Sequence, residues 1–432
     1  MAKFLIGVWP FQSHFFPLIA IAHALRARGH EVAFYTGTEA GAVVAGEGFR
    51  WFPFKQIDDQ HLDAMMFTRR STYASLKQPL QFKVLLRDWL LGTLPQQVED
   101  LTTVIAAWQP DIIVSETSMW GPILVLHETH AIPVAVFSTV VGCLLPGPEA
   151  PLGGGMPRPR HWSARLFVPL LKAAGDLLAA DFRRIANEQR QRYGLRPLAV
   201  SVTEFTGQMP LYLVPSTPVF DYERHDLPPS VHYIGPCLWN KSHHEPPPEW
   251  LGQLPHDQPW VHVTEGTMHT QEPLVLRAAA HGLANLPMQV IMTTGGHREP
   301  VEMGLGTIAP NILVERWVAH SDLLPHTDVV VTTGGAGTVM TVLQAGVPLV
   351  VVPTEWDKPQ NARRVVDAGV GVRLAPRHCT PKRLREAVEH VLQEPAYRQN
   401  AQRLRAAFAC YDGPTRAAEL LEDLHIQSKN RK

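Results

Sequence analysis

The stretch Thr332-Thr333-Gly334-Gly335-Ala336-Gly337-Thr338 carries the most explicit chemistry in this chain. An apolar run over 328–331 precedes it and reads as a buried parallel strand. A helical segment over 339–345 follows, closed by Gly346, and a second apolar strand begins at Val347. In a strand–glycine turn–helix unit, the glycines let backbone N–H groups approach an anion. The helix N-terminus adds partial positive charge. The unit predicts a phosphate or diphosphate site, and with it a nucleotide-type ligand. The other reactive candidate is His14. It follows the first strand, over 4–8, and precedes a helix predicted over 17–28. The connecting residues 9–17 contain no glycine, so they suit a dinucleotide poorly. They do set an imidazole at the C-terminal edge of the sheet, where open α/β sheets bind ligands. Neither half shows GxGxxG with an acidic residue about 20 positions on, which disfavours a dehydrogenase.

The elements around these residues alternate regularly. Strands over 4–8, 31–35 and 49–54 interleave with helices over 17–28 and 40–47, a βαβαβ start with short connections. Buried strands recur over 111–114 and 134–138, with a mostly helical stretch over 85–108 and a helical region over 164–193. This pattern argues for a parallel, doubly wound sheet. A Pro-rich segment within 235–254 reads as a linker. The alternation then restarts, with strands over 260–263, 289–293 and 312–315 and closing helices over 381–392, 396–410 and 415–426. The expected division is 1–234, linker 235–254, 255–410, and a C-terminal helix over 411–432 packing back toward the first domain.

The totals bound the function. The chain has 432 residues, 45% hydrophobic and 18% charged, with net charge −1, enough to bury two cores. No basic excess points to nucleic acid. The four cysteines are scattered and no CxxC occurs, so neither a zinc site nor a disulfide framework is expected and a reducing cytoplasm fits best. The remaining histidines lack metal-ligand spacing. No apolar run is long enough for a transmembrane helix. His269 and His297 follow strands of the second half, where they are candidates for the cleft border or ordinary loop histidines.

Taken together, these residues resemble a known family. The chain is similar to bacterial glycosyltransferases of the large class that includes the plant and macrolide enzymes. That class has the GT-B fold: α/β, with two Rossmann-like domains facing across a cleft. The resemblance covers essentially the whole chain. It rests on the opening segment from Ser13-His14 through Gly29-His30-Glu31-Val32, and on Glu315-Arg316-Trp317-Val318-Ala319-His320. It also rests on a donor signature running from Gly334 through Trp356-Asp357-Lys358-Pro359 to Asn361-Ala362-Arg363-Arg364-Val365. The resemblance implies that His14 is the general base for an acceptor hydroxyl and that Glu116 orients it, at a place usually held by aspartate. Ser115, Thr117 and Ser118 are polar neighbours able to share that role. It further implies that Thr333, Gly334, Gly335, Gly337 and Thr338 hold the diphosphate, with Gly266 and Thr267 adding a hydrogen bond. Trp317 would stack on the nucleobase, backbone groups of Val318 or His320 would pair with its edge, and Asp357 with Lys358 would meet the sugar.

Several positions depart from the family pattern. Thr333 stands where histidine is common, and Lys358 where glutamine follows the aspartate. Thr341 replaces a ribose-binding glutamate, with Gln344 almost one turn later as a polar substitute. The reaction implied is inverting, metal-independent transfer of a hexose from a UDP- or dTDP-sugar, UDP-glucose type preferred. The acceptor is a hydroxyl of a small hydrophobic phenolic, polyketide or isoprenoid molecule. No cofactor beyond the sugar nucleotide is implied, nor nucleic acid, nor stable membrane insertion. The apolar segments over 67–94 and 140–162 would line the acceptor pocket, or simply pack the first domain's core. The departures keep two alternatives open: a catalytically silent auxiliary protein on the same fold, and a sugar-nucleotide epimerase.

Overall fold

The structure is a computed structural model that describes residues 1–67, 78–156, 169–170, 175, 180–239, 247–255, 257–267, 272–296 and 298–430. Among them, thirteen strands form two all-parallel sheets. The first holds β1 (Lys3–Gly7), β2 (Glu31–Thr36), β3 (Arg50–Pro53), β4 (Ile112–Glu116), β5 (Val134–Phe137), β6 (Leu211–Val214) and β7 (Val231–Tyr233), in the order β3-β2-β1-β4-β5-β6-β7. The second holds β8 (Trp260–Thr264), β9 (Gln289–Thr293), β10 (Ile312–Glu315), β11 (Val329–Thr332), β12 (Leu349–Val351) and β13 (Gly371–Arg373), in the order β10-β9-β8-β11-β12-β13. Both are doubly wound. In each, the strand order reverses beside the first strand, and that is where open α/β sheets create a ligand crevice.

Alternation along the strands explains why both faces of each sheet are covered. Leu5 of β1 enters one apolar cluster while Phe4 and Ile6 enter another on the opposite face. Val330 of β11 likewise faces away from Val329 and Val331. With a side-chain period of two, a near-continuous apolar strand needs helices on both sides. The helices that matter for the site are α1 (Gln12–Ala27), α2 (Leu94–Trp108), α3 (Leu274–Gly282), α4 (Ala336–Gln344), α5 (Lys358–Asp367) and α6 (Gly413–Asn430). The last packs against α1. Its Leu420, Leu421 and Leu424 join the core beneath β1, and Glu422 bridges Arg28 and His30, each at 2.6 Å.

Two helix starts differ from the sequence expectation. Helix α1 begins at Gln12 rather than 17 and contains Pro17, so His14 sits in its first turn and not in a loop. Proline strains a helix by removing one backbone donor and by crowding the carbonyl four residues back. Here one missing bond is tolerated in a helix whose Phe15, Leu18, Ile19, Ile21 and Leu25 are all buried. Helix α4 begins at Ala336, directly after Gly335, not at 339. The helical stretch expected over 85–108 is divided by a wide π turn, Asp88–Gly92, ahead of α2. Of the helix expected over 164–193, Ala180–Arg192 is described. Residues 243–246, His269 and His297 lie outside the described residues, as do 68–77 and 157–162 of the segments expected at the acceptor pocket. No helix of the described residues is long and apolar enough to cross a membrane.

Candidate active site

Pairing of β1 with β4 sets Gly7 beside Ser115, so the chain leaving β1 for α1 passes the end of β4, where Glu116 lies. Across that short gap His14 Nδ1 meets Glu116 Oε2 at 2.5 Å, with Glu116 fully buried and His14 19% exposed. An ionised carboxylate only accepts, so Nδ1 carries a proton toward Glu116, and whenever the ring is neutral Nε2 is left with its lone pair. The other Glu116 oxygen accepts from Ser118 Oγ at 2.7 Å. The turn bearing Ser118 is itself fixed. Trp9 Nε1 donates to the Ser118 carbonyl at 3.1 Å, and Trp120 Nε1 to the Thr117 carbonyl at 2.9 Å. Glutamate at this place therefore reaches the histidine, and Ser118 is the one of the polar neighbours that binds it. Ser115 Oγ turns instead to the Met119 carbonyl.

The facing half presents a glycine turn whose backbone could receive an anion. Gly334 has φ +90°, and a Cβ there would lie 2.6 Å from Val351 Cγ1, so only glycine fits the turn. Its N–H is taken by Thr332 Oγ1 and its carbonyl by Asn361 Nδ2. Gly334 is thus the pivot of the turn, whereas Thr333, Gly335, Gly337 and Thr338 line the cavity. At Gly335 and Gly337 an added Cβ would meet nothing within 4 Å, so a ligand has room to approach the backbone. The first-turn N–H groups of α4 have no intrahelical acceptor, and the helix dipole points its positive end at the same space. Thr333 Oγ1 donates to the Glu265 carbonyl at 2.8 Å, tying this turn to the end of β8 beside Gly266 and Thr267. Thr341 Oγ1 is bonded back to the Gly337 carbonyl at 2.8 Å.

A single cavity of about 1270 Å³ runs between the two groups of residues and reaches both. Its walls include His14, Gly266, Thr267, Trp317, Val318, His320, Asp357 and Lys358. Trp317 is 41% exposed, a large indole left open on a cavity wall. Burial pushes the His320 imidazole down to about 4, so this ring is neutral at pH 7. Burial raises the Asp357 carboxyl above its ordinary range, against the Asn361 hydrogen bond and the charges of Lys358 and His14. His14, from the first half, thus lies within electrostatic reach of Asp357 on the second. Glu265, also on the wall, is pushed up to about 7 by burial, opposed by N–H bonds from Val275 and Leu276 and by Arg298 and Lys358. Among the described residues, no three His, Cys, Asp or Glu side chains converge as metal ligands would.

Three features of the site lay outside the sequence reading. Asn361 bonds both the Gly334 carbonyl at 2.9 Å and Asp357 Oδ2 at 2.7 Å, joining the glycine turn to that carboxylate. Its place in the quoted signature was the available signal. Arg364 of α5 makes a buried ion pair with Asp221 at 2.6 Å, crossing between the halves. The other Asp221 oxygen accepts from the Cys143 N–H and the Tyr233 hydroxyl. Glu265 caps α3 while facing the cavity.

Comparison with known proteins agrees with this fold. Residues 279–424 match the family described as erythromycin biosynthesis protein CIII-like, C-terminal domain. The chain is 34% identical over 428 residues to 4'-demethylrebeccamycin synthase of Lentzea aerocolonigenes, covering 98% of this chain and 99% of that protein. The crystal structure of the glycosyltransferase of kitacinnamycin superposes with a TM-score of 0.74 at 22% identity, covering 98% of both chains. A glycosyltransferase of a Streptomyces species, complexed with thymidine diphosphate, superposes with a TM-score of 0.65 at 22% identity, covering 98% of this chain and all of that one. Two doubly wound halves facing across a cavity are the architecture of a GT-B glycosyltransferase. The chain belongs to the family 1-type glycosyltransferases, the macrolide-glycosyltransferase-like group of sugar-transferring enzymes.

Proposed function

We propose that this protein is an inverting, metal-independent glycosyltransferase that moves a hexose from a nucleoside diphosphate sugar to a hydroxyl of a small hydrophobic acceptor. The observation that carries the reading is the sharing of one cavity by His14, backed by Glu116, and the open helix N-terminus at Gly335–Thr338. His14 Nε2 takes the proton of the acceptor hydroxyl as its oxygen attacks the anomeric carbon. The bond from that carbon to the diphosphate breaks on the opposite face, and the electron pair leaves with the diphosphate. Glu116 holds the Nδ1 tautomer and stabilises the imidazolium that forms. The charge developing on the leaving group meets the α4 N–H groups, the Thr338 hydroxyl and the Lys358 ammonium. Trp317 stacks on the nucleobase, with Val318 and His320 backbone at its edge and Gly266 and Thr267 beside the phosphates. Asp357 accepts from sugar hydroxyls. The nucleotide is UDP or dTDP. The thymidine diphosphate held by a structural relative supports dTDP, and the back-bonded Thr341 offers no carboxylate to a ribose diol. The acceptor is a phenolic, polyketide or isoprenoid alcohol, in keeping with the apolar wall on the His14 side. Four free cysteines suit a reducing cytoplasm.

The test is incubation with UDP-glucose and with dTDP-glucose against a panel of phenolic, polyketide and isoprenoid alcohols. Products are read by mass and by proton NMR. A gain of one hexose in β linkage from an α-linked donor is expected. An α-linked product would overturn inversion. Consumption of donor to an isomeric sugar nucleotide without acceptor would favour an epimerase.

A further inference from the structure

The donor half also supplies part of the wall on the acceptor side. Trp356 immediately precedes the sugar-side Asp357, yet its ring packs against the first half. It meets Phe82 edge to face at 5.2 Å between centroids and Trp89 at 6.1 Å. It lines the cavity and packs against the first half's apolar core. Its backbone has φ +61°, the left-handed region that disfavours an L-residue with a bulky side chain. A strained residue persists only where its surroundings over-determine it, and such residues gather at ligand clamps. Glycine would take this φ freely, so the indole is retained against a local cost.

Trp89 is the second half of the feature. It sits on the π turn Asp88–Gly92, a local widening of a helix that often marks functional sites. Its ring is 6.5 Å from that of His14 and 5.9 Å from that of Phe11. Buried indoles normally find an acceptor, as Trp9 and Trp120 do here. The Trp89 Nε1–H, by contrast, is buried with no hydrogen-bond partner among the described residues, where aromatic contacts seat the ring. A continuous aromatic surface thus leads from Trp356 through Trp89 to the base.

We infer that Trp356 is an acceptor-specificity residue and that the wall it forms with Trp89 and Phe82 selects planar aromatic acceptors over aliphatic ones. Offset or edge-to-face packing of rings contributes beyond the burial of area that any apolar molecule would gain. Because Trp356 and Asp357 are consecutive, seating the acceptor also sets the backbone that presents Asp357 to the sugar. The inference rests on the acceptor lying in this cavity, as the proposed function requires.

Calorimetric binding of a hydroxyanthraquinone and of farnesol, molecules of nearly equal carbon number, tests it. The proteins compared are the wild type, Trp356→Gly and Trp356→Phe, with UDP and dTDP binding and thermal unfolding measured on each. The wild type should prefer the hydroxyanthraquinone by about 10-fold. Trp356→Gly should abolish that preference while keeping nucleotide affinity, with a single cooperative unfolding transition showing that the fold is kept although packing against Phe82 and Trp89 is lost. Trp356→Phe should restore most of the preference. Absence of a preference in the wild type, its persistence in Trp356→Gly, or equal losses for both alcohols would overturn the inference. Transfer is followed in parallel. A retained aromatic preference without any transfer would sink the proposed reaction and leave the aromatic wall standing.

Discussion

Glu116 differs from the expected aspartate by one methylene, and it still meets His14 at 2.5 Å while Ser118 occupies its other oxygen. The pair works only if the carboxylate both fixes the ring and carries charge. Glu116→Gln keeps the shape and removes the charge, so turnover should fall by about 10³-fold with nucleotide affinity unchanged. Ser118→Ala should cost about 10-fold, the loss of one hydrogen bond to a charged group. Steady-state kinetics beside calorimetric UDP or dTDP binding checks both, and a Glu116→Gln enzyme of near wild-type turnover would remove Glu116 from the reaction. This pair was legible only through the family likeness. The two residues lie 102 positions apart, and nothing local to either says that β1 and β4 are neighbours. Arg364 stands in the donor signature, but Asp221, 143 positions away, carries no motif or periodicity, so their pairing was invisible for the same reason.

The glycine turn is the opposite case, because its chemistry is contiguous in sequence. What the sequence misplaced was the helix start: Gly335 caps α4 with no side-chain bond, leaving no cap signal to read. At α1 the visible signal was Pro17, which reads as a boundary although the helix runs through it. Two glycines separate structure from binding. Gly334→Ala forces an unfavourable φ and a contact with Val351, and should destabilise by about 2 kcal/mol. Gly337→Ala has open space, so it should leave the melting midpoint in place and weaken nucleotide binding. Thermal unfolding with and without UDP or dTDP distinguishes them. Glu265 adds a pH dependence. Its folded pKa, about 7, lies above the ordinary 4.5, so between those values the folded state holds a proton the unfolded chain has released. Its stability contribution is full below pH 4.5 and is lost as pH rises through 7. Melting midpoints across that interval should decline less in Glu265→Gln than in wild type. Parallel curves for the two proteins would refute the assignment.

At the scale of the molecule the halves are joined by a buried ion pair. Arg364 and Asp221 are 5% and 3% exposed, and a Cβ on Gly142 would lie 2.1 Å from the guanidinium, so the first half is carved to admit it. Removing one partner leaves a buried unpaired charge. Arg364→Ala should cost about 3–5 kcal/mol in unfolding, whereas the charge-free pair Arg364→Met with Asp221→Asn, which keeps an acceptor for the Cys143 N–H and the Tyr233 hydroxyl, should recover much of it. Denaturant titration reads both, and equal losses would mean that packing rather than charge dominates here. Helix α5 carries Arg364, Asn361 and Lys358 on one element, so this bridge also fixes Asn361 and Lys358 relative to the cavity's first-half wall. The central claim is that His14 of one half takes the proton for a transfer whose donor is held by the other. Its most direct test is single-turnover transfer by His14→Ala beside calorimetric binding of UDP and dTDP. Loss of transfer by 10³-fold or more with nucleotide affinity intact is the predicted result. Retained transfer by His14→Ala at near wild-type rate would contradict it.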